Sequence, residues 1–170
     1  MLMRIPLAHV GWLLLAVGGA GCGGPSPSAP SSADDRLGVW TPQAGNTILL
    51  AAQSGLESPR RLMVEDRNTW QVLWTEAWEG TPNPPPLPFI DFVLASVVVI
   101  AAGPRGPDYA VSVDSVVVFT RGGVVFATES QPGTSCTVGS GTSSPVHMVH
   151  MPGHPPIMEW RVSTAVHLCP

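Results

Sequence analysis

Pro88-Phe-Ile-Asp-Phe-Val-Leu-Ala-Ser-Val-Val-Val-Ile100 decides the fold: a proline delivers one acid into an apolar run that carries no charge from residue 92 to 100 and is rich in valine and isoleucine. Its length and β-branched content predict a central core strand. Asp91 stands between Phe89-Ile90 and Phe92-Val93 and has two readings. It is a site carboxylate whose pKa apolar neighbours raise, or a structural acid that accepts backbone amides where the strand begins. The second is preferred, because no acid or histidine within local reach makes it one of a pair.

Downstream, Ala101-Ala-Gly-Pro-Arg-Gly-Pro107 predicts a turn. Residues 109–119 alternate in part, with Val111 and Val113 followed by Val116-Val-Val-Phe119, and Arg121-Gly-Gly123 leads into a returning strand over 124–128. That pattern predicts a β-hairpin. Residues 131–141 read as a loop, 146–151 as a strand, 152–156 as a turn and 157–168 as the last strand.

Upstream, Glu79-Gly-Thr-Pro-Asn-Pro-Pro-Pro-Leu-Pro88 cannot be helical, since each proline fixes φ and lacks an amide donor. Before it, Trp70, Leu73, Trp74, Ala77 and Trp78 recur at the spacing that lines one helix face. Asn68 is the expected cap, with Gln71 reaching back to it. This stripe is read as a face that docks on a sheet; stacking of sugars on the indoles is the competing reading. Residues 46–54 and 61–64 read as two earlier strands. Strand, strand, helix and five strands predict an α+β domain: a mainly antiparallel twisted sheet or half-open barrel with one Trp-rich helix packed on it.

The chain has 170 residues, 44% apolar and 12% charged, with 19 prolines and 18 glycines, so one packed domain with short elements and many turns is expected. At its start, Arg4 precedes a short apolar run through Trp12-Leu-Leu-Leu-Ala-Val17, and small residues lead to Cys22. The run is shorter than the roughly 20 residues a spanning helix needs and reads as a cleavable export signal over 1–21. Gly19-Ala-Gly-Cys22 resembles a bacterial lipobox, with Gly19 where leucine is usual. Lipidation of Cys22 would anchor the chain to a membrane of the bacterial envelope, on its extracytoplasmic side. Residues 22–38 read as a Gly/Pro/Ser tether and 39–170 as the folded domain.

All eight basic residues are arginine against twelve acids, a net charge of −4. An acidic domain without lysine is a poor partner for nucleic acid. With Cys22 acylated, Cys136 and Cys169 are expected to form a disulfide in the oxidising compartment, closing a loop of about 33 residues; two free thiols are the other state.

A Trp-rich helix (Trp70-Gln-Val-Leu-Trp74), a proline-rich link, Pro88-Phe-Ile-Asp-Phe92, a strand ending Val99-Ile-Ala-Ala-Gly103, an aromatic-led strand from Tyr109, then Pro132-Gly-Thr-Ser-Cys136 and Ser144-Pro-Val-His147 together resemble the PrcB-like family of bacterial lipoproteins, described as protease-complex subunits. The resemblance spans residues 46–161. Where the family tends to have Thr-Gly-Gly-Tyr before the aromatic strand, this chain has Gly106-Pro-Asp-Tyr109, so the turn differs. The resemblance implies a non-enzymatic, cofactor-free binding module that associates with or stabilises an exported protease. Asp91, Pro84, Pro85, Arg105, Asp108 and Tyr109 are its candidate contact residues, in and beside the loops at 81–86 and 103–108.

The alternative is copper or another transition metal held by His147, His150 and His154, with Met148 or Met151 as thioether ligands. In an extended strand His147 and His150 point to opposite faces, which opposes shared ligation without a bulge. No Gly-x-Ser-x-Gly elbow and no phosphate-binding glycine loop occurs.

Overall fold

The computed structural model describes residues 35–168. They form an α+β domain of two mainly antiparallel four-stranded sheets and one α-helix. In chain order the strands are β1 (Arg36–Trp40), β2 (Thr47–Ala51), β3 (Arg60–Val64), then α1 (Arg67–Ala77), β4 (Ala95–Ala101), β5 (Ala110–Phe119), β6 (Gly122–Pro132), β7 (Val146–Pro152) and β8 (Ile157–His167). One sheet has the order β1-β5-β6-β8 and the other β2-β7-β4-β3. The mainly antiparallel α+β domain expected from the sequence, as a twisted sheet or half-open barrel, is built from two stacked sheets, and neither closes into a barrel.

Two cores follow from this stacking. Between the sheets, Val98 and Ile100 of β4 and Val149 and Met151 of β7 meet Val111, Val113 and Val116 of β5 and Val125 and Ala127 of β6. On the other face of the second sheet, Val97, Val99, Val146 and Met148 meet Trp70, Leu73, Trp74 and Ala77 of α1. β4 and β7 are thus covered on both sides. That is why β4 is apolar at nearly every position instead of alternating, and why all seven of its residues are buried.

The opening stretch is strand only from Ala95. Residues 88–94 run along α1 and turn into β4, so the strand is shorter than its apolar composition suggests. Phe92 packs against the helix-side core, while Phe89, Val93 and Leu94 are exposed. Asp91, which the sequence places among apolar neighbours, is itself exposed. Its Oδ1 accepts the Val93 amide at 3.0 Å and its carbonyl accepts the Leu94 and Ala95 amides, each at 3.0 Å. This is the strand-entry role, performed at the surface.

The helix is capped two residues before the expected position, at Asp66. Asp66, in extended conformation, accepts the Asn68 and Thr69 amides, both at 2.9 Å, and the Thr69 hydroxyl at 2.6 Å. The Thr69 bonds hold its carboxylate below the usual range. A carboxylate at this position meets the positive end of the helix dipole, which explains its advantage over Asn68.

β1 opens at Arg36, inside the stretch assigned to the tether, and pairs with β5. The β5–β6 hairpin forms as expected, with Gly122 at φ 149° in the turn and Met158 packed where a side chain would project. The irregular alternation in β5 is a bulge: the register slips between Val113 and Ser115, so Val111, Val113 and Val116 all face inward. β8 pairs with β6 in parallel. β7 crosses back through the other sheet between them, so β8 re-enters running in the direction of β6.

This winding gives the domain two ends. At the entry end lie Asp35, whose carbonyl accepts the Thr120 amide, the β5–β6 turn, the β7–β8 connection and residues 89–94; Gly153 donates to Leu94 and Gly123 to Pro156. At the distal end, roughly 20 Å away along β4, lie the β4–β5 and β6–β7 connections.

Candidate functional site

The three histidines of the metal reading do not converge. Along β7 the side chains alternate, so Val146 and Met148 face the helix-side core while Val149 and Met151 face the other sheet. His147 lies on the inter-sheet face and His150, paired with Val97, on the opposite one. His154 sits beyond the turn with its Nδ1 4.0 Å from Glu65 Oε1. Met148 and Met151 are buried in different cores. Among the described residues no group of three or more His, Cys, Asp or Glu is arranged to hold a metal ion. The expected strand geometry explains this: with a period of two and no bulge in β7 at this point, residues 147 and 150 must diverge.

His147 instead joins the two sheets. It is buried, and its Nδ1 accepts the Val113 amide of β5 at 2.9 Å. That bond places the ring proton on Nε2, which lies 3.4 Å from Thr47 Oγ1. Burial pushes its pKa below the usual histidine range, and the Asp114 carboxylate opposes the shift. The bulge at Asp114 is what leaves the Val113 amide without a ladder partner and available to the ring.

In the tryptophan stripe Trp70 and Trp74 are buried and Trp78 is half-buried. Trp70 and Trp74 belong to the helix-side core, their ring centroids 5.3 Å apart, and Trp78 packs against the same cluster. Their N–H groups strap the proline segment down: Trp70 Nε1 donates to the Pro88 carbonyl and Trp74 Nε1 to the Pro85 carbonyl, each at 3.1 Å. Trp78 Nε1 is buried with no acceptor among the described residues. With Trp70 and Trp74 buried and Trp78 packed half-buried against them, the helix presents no exposed indole stripe on which a sugar could stack.

Of the six candidate contact residues, the structure separates Asp91 from the rest. Asp91 is at the entry end. Arg105, Asp108 and Tyr109 are on the β4–β5 connection at the distal end, and Pro84 and Pro85 are exposed on the strap along the later half of α1. The distal connection is held in one shape. Arg105 and Ser143 exchange backbone bonds at 2.8 and 2.9 Å, Ser143 Oγ donates to the Gly106 carbonyl at 2.7 Å, and Tyr109 Oη bonds Gln131 Oε1 at 3.1 Å. Asp108 adopts φ 64°, the left-handed geometry that Asp tolerates better than most residues. Gly103, at φ 68° with Pro59 Cδ 2.9 Å from where a Cβ would lie, closes the loop against the β2–β3 connection.

Sequence reasoning missed this clamp. Its signal lies in the serines at 143 and 144, small hydroxyl residues beside Pro145 in a glycine- and serine-rich connection. Both are buried; Ser143 holds Gly106, and the Ser144 carbonyl accepts the Ser54 hydroxyl at 2.8 Å. Cys136 follows β6 near the end of β8, where Gly133 donates to the His167 carbonyl at 2.9 Å, and it is not a free thiol. Cys169, its expected partner, lies outside the described residues, as does Cys22.

No family model, curated protein or solved structure matches the chain.

Proposed function

We propose that this chain is an exported lipoprotein, anchored in the bacterial envelope through acyl chains on Cys22, whose domain is a non-enzymatic protein-binding module of the PrcB-like type that engages an exported protease. The observation that carries the binding reading is the distal surface. Two connections of different strands, 102–109 and 133–145, are cross-linked by the Arg105–Ser143 and Ser143–Gly106 bonds into a single pre-formed face. Loops held on a rigid scaffold are where recognition residues concentrate, and ordering them in advance lowers the entropic cost of association. Arg105, Asp108 and Tyr109 present a guanidinium, a carboxylate and a partly buried phenol there. The lipobox-like Gly19-Ala-Gly-Cys22 and the tether support the anchored location.

The test is affinity capture from a membrane fraction using the full chain. The lipidated protein should recover an exported protease, and Arg105→Ala with Tyr109→Ala should reduce that recovery at least tenfold without changing recovery of the lipoprotein itself. If no exported protein is recovered, the binding reading fails.

A further inference from the structure

We infer that the entry end of the domain docks on the bilayer in which Cys22 is anchored, inserting the apolar side chains of Phe89, Val93, Leu94 and Met158 and holding the distal loops outward. This inference rests on the lipoprotein reading above. The fold leaves these four side chains out of both cores: they are 83%, 83%, 69% and 69% exposed. They also share one end. Gly153 donates to the Leu94 carbonyl and Gly123 to the Pro156 carbonyl, which joins residues 89–94 to the β7–β8 connection, while Met158 packs on Gly122 in the β5–β6 turn.

The position of the tether selects the occupant. The described chain begins at Asp35, whose carbonyl accepts the Thr120 amide at that same turn. Twelve residues separate it from Cys22. A Gly/Pro/Ser segment of that length has a root-mean-square span of about 20 Å. Tethering at so short a distance makes docking intramolecular, so an apolar patch too small to bind vesicles by itself is enough.

Charge selects the kind of surface. The carboxylates of Asp35, Glu65, Asp66 and Asp91 stand near this end with the guanidinium groups of Arg36, Arg67 and Arg121, leaving it without the basic excess that anionic lipid attracts. Insertion is therefore apolar and indifferent to lipid charge.

The experiment uses the full chain, made in a bacterial host that processes lipoproteins and reconstituted into dioleoylphosphatidylcholine vesicles. The mass of the N-terminal peptide is read first. Diacylglyceryl on Cys22 supports the anchor, and its absence sinks the lipoprotein reading together with this inference. Backbone amide exchange of the lipidated protein is then compared with that of Val93→Asp/Leu94→Asp in the same vesicles. Peptides over 153–158, unaltered in sequence, should exchange at least threefold more slowly in the wild type, with equal rates over 103–109. Equal rates over 153–158 in two lipidated proteins overturn the docking and leave the anchor standing. Protection that rises when phosphatidylglycerol is added overturns the apolar mode. Unchanged protection over 95–101 verifies that the variant is folded; should it be lost, Phe89→Ser/Val93→Ser is read in its place by the same criteria.

Discussion

His147→Asn should lessen the pH dependence of stability between pH 8 and 5. In the folded domain the imidazole is buried, accepts the Val113 amide through Nδ1 and is neutral. Burial depresses its pKa, with Asp114 acting the other way. The unfolded chain takes up the proton as pH falls through about 6.5, whereas the folded chain resists it to lower pH. The histidine's contribution is thus fully present above the unfolded pKa and is lost as pH falls toward the folded one. The loss is at most about 1.4 kcal/mol per pH unit for this one proton. Asparagine offers an oxygen near the Nδ1 position and does not titrate. At pH 8 the variant should lie within about 1 kcal/mol of the wild type, while His147→Ala, which strands the Val113 amide, should cost about 1–3 kcal/mol plus a cavity contribution. Urea unfolding of both proteins at half-unit steps gives the test, and taking the difference cancels the other histidines and the carboxylates. The stability difference should shrink or reverse on going from pH 7.5 to 5.5, by no more than the slope given above. A difference that stays constant over that range would refute the reasoning.

Other substitutions probe the rest of the structure. Trp70→Phe loses the bond to the Pro88 carbonyl and should cost about 1–2 kcal/mol, while Trp78→Phe removes a donor that has no acceptor among the described residues and should stay within about 1 kcal/mol of the wild type; thermal melts rank the two. Asp108→Val places a β-branched residue at φ 64° and should cost about 1–2 kcal/mol by urea denaturation, whereas Asp108→Gly should be tolerated. Non-reducing peptide mapping should yield a Cys136–Cys169 cross-linked peptide, and reduction should cost about 3–4 kcal/mol by the chain-entropy model; recovery of both as free thiols would exclude the bridge.

Local elements are legible in this sequence. The helix stripe, the five strands that follow it and the hairpin over 109–128 depend on side-chain periodicity and on glycine and proline, and these are written in neighbouring residues. Pairing across the chain is not. β1 has five residues with a glycine in the middle, and it is a strand because Val116 to Phe119 offers an edge. The parallel β6–β8 pair exists because β7 returns through the other sheet, a relation no local pattern encodes. The contact residues fared similarly: Arg105, Asp108 and Tyr109 come together as neighbours in sequence, but the serine clamp that fixes them joins positions nearly forty residues apart.

Asp91 and His147 show where polarity belongs in this fold. Flanking apolar residues made Asp91 look buried, yet an acid preceding a fully covered strand has no partner inside and is stable only outside, where its carboxylate and carbonyl can gather the amides of the turn. His147 enters the alternative metal reading because its neighbours in sequence include other histidines and methionines. It is buried because β7 is covered on both faces and because the bulge at Asp114 frees the Val113 amide. An imidazole satisfies that donor while remaining neutral, which a carboxylate in the same place does only by accepting its proton. The polar group tolerated between the sheets is therefore the one whose uncharged form is dominant at neutral pH, and the bulge and the histidine should be lost or kept together: straightening β5 by deletion of Asp114 should make His147→Leu less damaging than it is in the native chain.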